Sequence, residues 1–287
     1  MPRSSFQLTR PDTLTSSVVC ASPHSGREYA WSFMHRSALS ELAMRSSEDA
    51  FVDVLIEDTP RFGAPLLTAS VPRAFVDLNR SDDELDPALI DGVKKVGHNP
   101  RVASGLGVIP RVVANSRAIY RGKLSQVEAR KRLHDYWHPY HDQLASLLQD
   151  ARAKFGTALL LDFHSMPHEA LENFGGLKKN YPDVVLGDRF GASASGDIVD
   201  RVEAAFADAG FKVARNTPFA GAYVTQTYGR PARNQHAIQI EIDRAIYMNE
   251  ETLTKSASFA DVKRSVTEVL VEVCDFNRGA VMPVAAE

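Results

Sequence analysis

Short apolar runs alternate with longer amphipathic stretches along this chain, a pattern typical of strands followed by helices. Apolar runs rich in β-branched residues predict strands at residues 17–21, 65–69, 74–78, 157–163, 183–186, 211–214 and 236–242. Apolar residues at helical spacing predict helices at residues 31–46, 125–153, 196–209 and 259–274. This alternation predicts a three-layer α/β fold with helices on both faces of a mostly parallel or mixed central sheet.

Glycine and proline residues mark several boundaries of these elements. Gly156 and Gly210 follow two of the predicted helices, where glycine favours a left-handed cap. Pro139 lies inside the helix predicted at 125–153 and should kink or split it. The strand at 236–242 alternates between isoleucines and polar residues, so it should have one apolar and one polar face.

Composition excludes several classes of protein. Hydrophobic residues make up 44% of the 287 residues and charged ones 24%, the balance of a globular chain that can bury a full core. A net charge of −3 argues against nucleic-acid or membrane partners. No apolar run approaches the roughly 18 residues of a spanning helix, and the start lacks a signal-peptide pattern. With only Cys20 and Cys274, we expect a cytoplasmic protein with reduced thiols. We also expect a single domain over residues 1–287.

Candidate chemistry gathers near two strand ends. His24 follows the strand predicted at 17–21, and His164 follows the one at 157–163. Ligand sites in open α/β sheets gather at the carboxyl ends of strands, so both histidines should line one site. Three long segments without regular pattern, at 98–122, 166–181 and 216–235, favour a functional rim around it.

His24, Glu28 and His164 form a candidate ligand set for one zinc ion. Catalytic zinc is commonly held by two histidines and a carboxylate, with the fourth position left for water. Glu241, on the polar face of its strand, could then take and return protons. Simpler interpretations exist for each residue, because a strand-end histidine often only hydrogen-bonds a loop and a lone glutamate is often a solvated or ion-paired charge.

A second metal motif competes with this set. His134 and His138 are four residues apart on a predicted helix, superficially like the HExxH of zinc proteases. Asp135 replaces the glutamate of that motif and Pro139 disturbs the helix, so we favour a bracing role for this face, together with His141. The chain also lacks GxSxG, GxxxxGK[ST] and a GxGxxG after a strand, which argues against serine hydrolases and nucleotide-binding classes.

The order of the candidates resembles that of the zinc carboxypeptidase and aspartoacylase superfamily, and the closer likeness is to N-formylglutamate amidohydrolases. Six motifs over about residues 20–250 are similar to that family: PHSG at 23–26, SVPRAFVDLNR at 70–80, HPYH at 138–141, DFHSMP at 162–167, NTPFAGAYVTQTYGRP at 216–231 and QIEIDRAIYM at 239–248. The resemblance implies a zinc carboxypeptidase-like fold. It also implies metal-dependent hydrolysis of N-formyl-L-glutamate to L-glutamate and formate, in histidine degradation.

The resemblance further implies roles for residues of the SVPRAFVDLNR segment at 70–80. Arg73 would polarise the formyl carbonyl, while Asn79 and Arg80 would hold the α-carboxylate of the substrate. Two more expectations come from position: Asp162, two residues before His164, would orient that ligand, and Tyr223 lies in a loop that could close over the substrate. Because guanidinium groups match carboxylates, the distal carboxylate could meet one of three arginines: Arg244, Arg230 or Arg215.

Several alternatives stay open at this point. Glu28 is four residues after His24 where carboxypeptidases have HxxE, so Asp49 or Asp53 could supply the third ligand instead. Zinc is the expected metal, although manganese or cobalt would also suit such donors. The substrate could be another N-acyl amino acid or a peptide, and a non-catalytic binding protein is a third reading. The sequence does not indicate an oligomeric state.

Overall fold

The computed structural model of the protein describes residues 4–94, 99–172 and 181–276. Its strands are β1 (Phe6–Thr9), β2 (Val18–Ser22), β3 (Leu66–Ala69), β4 (Val112–Val113), β5 (Arg117–Ala118), β6 (Ala158–Met166), β7 (Val184–Gly187), β8 (Val213–Arg215), β9 (Gln235–Asp243), β10 (Met248–Asn249) and β11 (Thr254–Lys255). Its α-helices are α1 (Trp31–Met34), α2 (Glu41–Arg45), α3 (Val52–Leu55), α4 (Pro100–Ala103), α5 (Gln126–Arg132), α6 (His138–Phe155), α7 (Gly196–Asp208), α8 (Tyr223–Tyr228) and α9 (Phe259–Cys274).

Seven of these strands form a mixed sheet in the order β1-β3-β2-β6-β9-β7-β8. The central strands β3, β2, β6 and β9 are parallel to one another. Strand β1 is antiparallel to β3, and β7 is antiparallel to β9. Apolar residues cover both faces: Leu160 of β6 packs in the cluster that includes Leu144 of α6, while Leu161 packs with Phe206 of α7 and Leu270 of α9. The predicted three-layer α/β fold is confirmed.

Strands β6 and β9 carry the site and are buried along almost their whole length. The strand predicted at 157–163 continues to Met166, because β9 pairs with it residue by residue as far as the pair Met166 and Asp243. His164 therefore lies inside a strand, where the pairing with β9 fixes its position.

Two predicted elements are wrong. The helix expected at 31–46 is broken into α1 and α2, because Ser40 starts a new helix by accepting a hydrogen bond from the Ala43 N–H at 3.3 Å. Residues 74–78 are not a strand: Pro72 begins a turn in which its carbonyl accepts from the Phe75 N–H at 2.9 Å. Residues 74–78 are mostly apolar because they are buried, although their backbone is irregular.

The long helix predicted at 125–153 is split as expected at Pro139. A π-helical turn, Leu133–Trp137, separates α5 from α6, and Pro139 lies in the first turn of α6. Gly156 ends α6 in the left-handed conformation, with φ of 75°. Neither this helix nor any other in the described parts of the chain combines the length and apolar character that crossing a bilayer requires.

The predicted irregular segments contain short elements. Helix α4 and the β4–β5 pair lie within 98–122, and α8 lies within 216–235. Residue 98 and residues 173–180, which belong to the segments predicted at 98–122 and 166–181, lie outside the described residues.

Candidate active site

His24 is positioned by the turn that follows β2. At Gly26 a Cβ atom would lie 2.0 Å from the Val71 carbonyl oxygen, so only glycine lets the two segments approach this closely. The backbone of His24 also accepts a hydrogen bond from the Asp49 N–H at 3.0 Å. These contacts bring His24, Asp49 and the 70–80 segment together at the carboxyl end of β2.

Strands β6 and β9 contribute the other side of the site through their register. Asp162 pairs with Gln239, and His164 pairs with Glu241, two positions further along each strand. Side chains two residues apart in a strand point to the same face. The four polar side chains therefore lie side by side on the face that carries His24.

Three buried donor atoms converge at this edge of the sheet. The Nδ1 atoms of His24 and His164 lie 3.0 Å apart. Asp49 Oδ2 lies 3.1 Å from the Nδ1 of His164 and 3.5 Å from that of His24. His24, Asp49 and His164 each offer a ligand atom, and these atoms all lie within 4.8 Å of one another.

Carboxylates on the far side of each imidazole orient the two rings. His24 Nε2 lies 2.7 Å from Asp77 Oδ1, and His164 Nε2 lies 2.9 Å from Asp162 Oδ2. When each Nε2–H donates to its carboxylate, both Nδ1 lone pairs point inward, the arrangement typical of metal-binding histidines. Two lone pairs that face each other at 3.0 Å repel, so a cation between them and Asp49 fits this donor set.

Arginines neutralise the buried carboxylates of the group. Arg244 Nη2 donates to Asp49 Oδ1 at 2.9 Å, and Arg73 Nη2 donates to Asp77 Oδ2 at 3.0 Å. Burial opposes ionisation of Asp49, but the contacts of its Oδ2 with the two imidazoles and the charge of Arg244 hold its pKa well below the usual range. Asp49 is therefore ionised and ready to bind a cation.

Glu241 has the opposite electrostatic setting. It is buried, and its Oε1 accepts a hydrogen bond from Gln239 Nε2 at 2.7 Å. Burial, together with the charge of Asp49, raises the pKa of Glu241 to about 7 against the opposing charges of His164, Arg73 and Arg244. A carboxyl group with such a pKa can both accept and release a proton near neutral pH.

Two further residues of DLNR, Asn79 and Arg80, lie beside this group. Asn79 is held by the protein itself: its Nδ2 donates to Gln239 Oε1 at 3.2 Å, and its Oδ1 accepts from the Val224 N–H at 2.8 Å. Arg80 donates from Nε to the Leu106 carbonyl and from Nη1 to the Asn79 carbonyl, at 3.1 and 2.7 Å. Both residues border the same cavity, of about 470 Å³, as the two histidines and Glu241.

The structure groups Asp49, one of the two alternatives, with the histidines in place of Glu28. Glu28 is half-buried, and its N–H donates to the Ser70 carbonyl at 3.0 Å. Asp53, the other alternative, forms a two-bond ion pair with Arg27 at 2.9 and 3.0 Å. The reason is local: Arg27, not Glu28, occupies the third position after His24, and the loop that carries Asp49 is tied to the His24 backbone.

The other candidate residues are engaged by neighbouring groups of the protein. Tyr223 packs its ring against Trp137 and His141, behind the cavity, at centroid distances of 5.8 and 5.4 Å. Arg244 is held by Asp49 and by the hydroxyl of Ser165, whose Oγ is 3.0 Å from its Nε. The remaining two arginines do not border the cavity: Arg215 pairs with Asp200 and Glu203, and Arg230 donates to the Thr227 carbonyl.

The HxxxH motif does not form a metal group among the described residues. His134 and His138 are exposed, and their nearest acidic partners are Asp135 and Asp82, at 3.0 and 3.8 Å. His141 instead braces the site, because its Nε2 donates to the Leu78 carbonyl at 3.0 Å. Its Nδ1 lies 2.9 Å from the hydroxyl of Tyr228.

Sequence reasoning missed two residues of the site. Asp77 orients His24, and Gln239 contacts both Asn79 and Glu241. A signal was present for each: Asp77 opens the DLNR motif, and Gln239 shares the polar strand face with Glu241.

A layered α/β fold with a buried His–Asp–His group that could hold a metal ion, beside a glutamate, is the arrangement expected of a metal-dependent hydrolase. The model of the N-formylglutamate amidohydrolase family matches residues 16–248, and the chain belongs to this family. The resemblance predicted from the motifs is therefore confirmed.

Individual relatives support the same assignment. An N-formylglutamate deformylase of Pseudomonas aeruginosa is 30% identical over 260 residues, covering 89% of this chain and 91% of its own. A deformylase of the same name from Pseudomonas putida is 29% identical over 259 residues, with the same coverage. The crystal structure of an N-formylglutamate amidohydrolase from Ralstonia eutropha JMP134 superposes with a TM-score of 0.89 at 35% identity, covering 96% of this chain and 99% of that one.

Proposed function

We propose that this protein hydrolyses the formyl amide of N-formyl-L-glutamate to give formate and L-glutamate, as a step in histidine degradation. The observation that carries the proposal is the convergence of His24, Asp49 and His164 beside Glu241, within a chain of this family. Amide hydrolysis requires an activated water, stabilisation of an oxyanion and protonation of a poor leaving group. The site offers a residue for each need.

We assign the metal ligands as His24, Asp49 and His164, with Asp49 in the role first considered for Glu28. Two imidazole nitrogens and one carboxylate favour zinc. When bound, such a cation lowers the pKa of water and polarises the acyl oxygen. By accepting from the Nε2–H groups of the two imidazoles, Asp77 and Asp162 would leave both Nδ1 atoms free to hold the cation.

Glu241 takes the proton of the attacking water and later delivers it to the departing nitrogen. Its pKa near 7 suits both transfers, because the group is partly ionised at neutral pH. Gln239 keeps the carboxylate in place through the hydrogen bond to Oε1. Arg73, at the cavity wall, stabilises the negative charge that develops on the formyl oxygen, a contribution typically worth about 3–4 kcal/mol.

Arg80 binds the α-carboxylate of the substrate, and Asn79 positions it. The Asn79 side chain is already bonded to Gln239 and to the Val224 N–H, so it fixes the wall of the pocket. Two hydrogen bonds to backbone carbonyls hold the Arg80 guanidinium over the cavity. A planar guanidinium held in this way matches a carboxylate with two parallel bonds.

The proposal is tested by metal analysis and by turnover of N-formyl-L-glutamate, N-formyl-L-aspartate and N-acetyl-L-aspartate. We expect about one bound zinc, fastest turnover of N-formyl-L-glutamate, and loss of activity on chelation that zinc restores. Asp49→Asn should lose both metal and activity, whereas the matched Glu28→Gln should keep both. Absence of hydrolysis by the zinc-loaded protein would refute the proposal, and metal loss only in Glu28→Gln would reverse the ligand assignment.

A further inference from the structure

Two arginines of the site cavity, Arg80 and Arg101, differ from the others in their charge partners. Arg73 and Arg244 are paired with Asp77 and Asp49. In the described parts of the chain, neither Arg80 nor Arg101 has a carboxylate oxygen within the 4.0 Å of an ion pair, although both border the cavity. The cavity thus contains two guanidinium charges that no ion pair satisfies.

Arg80 keeps part of its hydrogen-bonding capacity for a ligand. Its Nε and Nη1 donate to the carbonyls of Leu106 and Asn79. No described residue accepts from its Nη2. Arg80 is 8% exposed and borders the cavity, so only a small part of the residue is accessible.

Arg101 lies at the outer part of the same cavity, in helix α4. The start of α4 is anchored, because Asn99 Oδ1 accepts from the Arg101 N–H at 3.0 Å and Asn99 Nδ2 donates to Glu84 Oε2 at 3.1 Å. The Arg101 side chain is exposed, and no hydrogen bond or ion pair of its guanidinium is present among the described residues. The backbone is therefore fixed while the guanidinium stays available.

The two charges act on each other. Burial first, and then the charges of Arg73 and Arg101, lower the pKa of Arg80 against the attraction of Asp77 and Glu84. Asp77 is already engaged by His24 and Arg73, and Glu84 by Asn99 and the Ser81 N–H. A ligand with two carboxylates would relieve this repulsion, since each guanidinium would gain an opposite charge.

We propose that Arg101 binds the distal, γ-carboxylate of the substrate while Arg80 binds the α-carboxylate, which makes Arg101 the residue that selects glutamate over uncharged side chains. The inference rests on the proposed function and extends it. Arg244, Arg215 and Arg230, the three arginines first considered for this role, are held by other partners or lie outside the cavity.

The test compares two substrates of almost equal shape, N-formyl-L-glutamate and N-formyl-L-glutamine, in wild type and Arg101→Gln. We expect kcat/KM for N-formyl-L-glutamate to fall about 10- to 100-fold, mainly through KM, the range for a lost charge-assisted hydrogen bond. Turnover of N-formyl-L-glutamine should change less than about 3-fold. Arg101→Lys keeps the charge but not the planar guanidinium. It should therefore lose less of the kcat/KM for N-formyl-L-glutamate than Arg101→Gln.

The control is Arg130→Gln, which removes an exposed arginine of α5 outside the cavity. It should leave kcat/KM for both substrates unchanged. An equal loss for both substrates in Arg101→Gln, or no loss for either, would overturn the inference while leaving the proposed function intact. If the zinc-loaded wild type does not hydrolyse N-formyl-L-glutamate at all, the proposed function fails and this inference fails with it.

Discussion

At the scale of single residues, the environment of each carboxylate determines its chemistry. Asp49 is ionised because two imidazoles and Arg244 contact it, whereas Glu241 receives its close hydrogen bond from the neutral amide of Gln239. Burial removes the hydration of both carboxylates. The contacts with charged groups offset this loss at Asp49, whereas the hydrogen bond from a neutral amide offsets little of it at Glu241. One group is suited to bind a cation and the other to exchange a proton.

This contrast predicts the effect of Glu241→Gln. The amide keeps an oxygen that can accept from Gln239, so the fold and the zinc content should remain those of wild type. Loss of the proton acceptor should lower kcat by about 10²- to 10⁴-fold, the usual contribution of a general base. Steady-state kinetics with metal analysis check this, with the exposed Glu272→Gln of α9 as control. Loss of zinc in Glu241→Gln would show that Glu241 is a ligand and not the base.

The residues of the site differ in how far the sequence could predict their place. His24, His164 and Glu241 lie in or next to strands, so the parallel sheet brings them to one edge whatever the loops do. Asp49 lies in an irregular loop, and its position depends on the bond from its N–H to the His24 carbonyl. No pattern of hydrophobic residues indicates such a contact, which explains why the sequence favoured Glu28 and left Asp49 as an alternative.

At the scale of elements, the predictions that succeeded were those for strands and helices whose buried residues recur at a regular spacing. Strand β9 has alternating apolar and polar residues, and helices α7 and α9 have apolar residues at helical spacing, so the sequence predicted all three. Residues 74–78 are just as apolar, but their burial comes from an irregular segment packed under the site. Strand β1 was missed because it is a short, half-exposed edge strand.

The turn after β2 predicts a specific destabilisation. Gly26→Ala would place a Cβ 2.0 Å from the Val71 carbonyl oxygen, so one of the two backbones must move. We expect a loss of about 1–3 kcal/mol in the free energy of unfolding, typical of overpacking, and a displaced His24. Chemical denaturation measures the loss. Gly122→Ala is the matched control, because nothing lies within 4 Å of its added Cβ; equal stability of the two variants would contradict the account.

The buried His141 of α6 predicts that the stability of the protein depends on pH. Burial, with a further contribution from the charge of His138, lowers the pKa of His141 to about 3, below its ordinary 6.5. As pH falls through 6.5, the unfolded chain takes up this proton before the folded one does. His141 should therefore contribute stability above pH 6.5 that is lost towards pH 3, with a slope of about 1.4 kcal/mol per pH unit.

Urea unfolding at several values between pH 7 and pH 4 checks this slope. The free energy of unfolding of His141→Gln should depend on pH less steeply than that of wild type, by about the 1.4 kcal/mol per pH unit expected for one titrating group. The exposed His134→Gln should keep the wild-type slope. If His141→Gln and wild type lose stability in parallel, the buried imidazole is not the source of the acid sensitivity.

At the scale of the whole molecule, the sheet order explains how distant residues form one site. Strands β2, β6 and β9 are neighbours, although residues far apart in the chain form them. Their carboxyl ends meet at one edge, and the 46–51 and 70–80 segments close over it. A single domain over residues 1–287 stays a prediction.

The most direct test is a crystal structure of the zinc-loaded protein with anomalous scattering measured on both sides of the zinc absorption edge. We expect one strong peak about 2.0–2.2 Å from the Nδ1 atoms of His24 and His164 and from an Asp49 oxygen, with the Glu241 carboxylate beside it. A zinc peak at Glu28, at the His134 and His138 pair, or nowhere near the two buried histidines would contradict it.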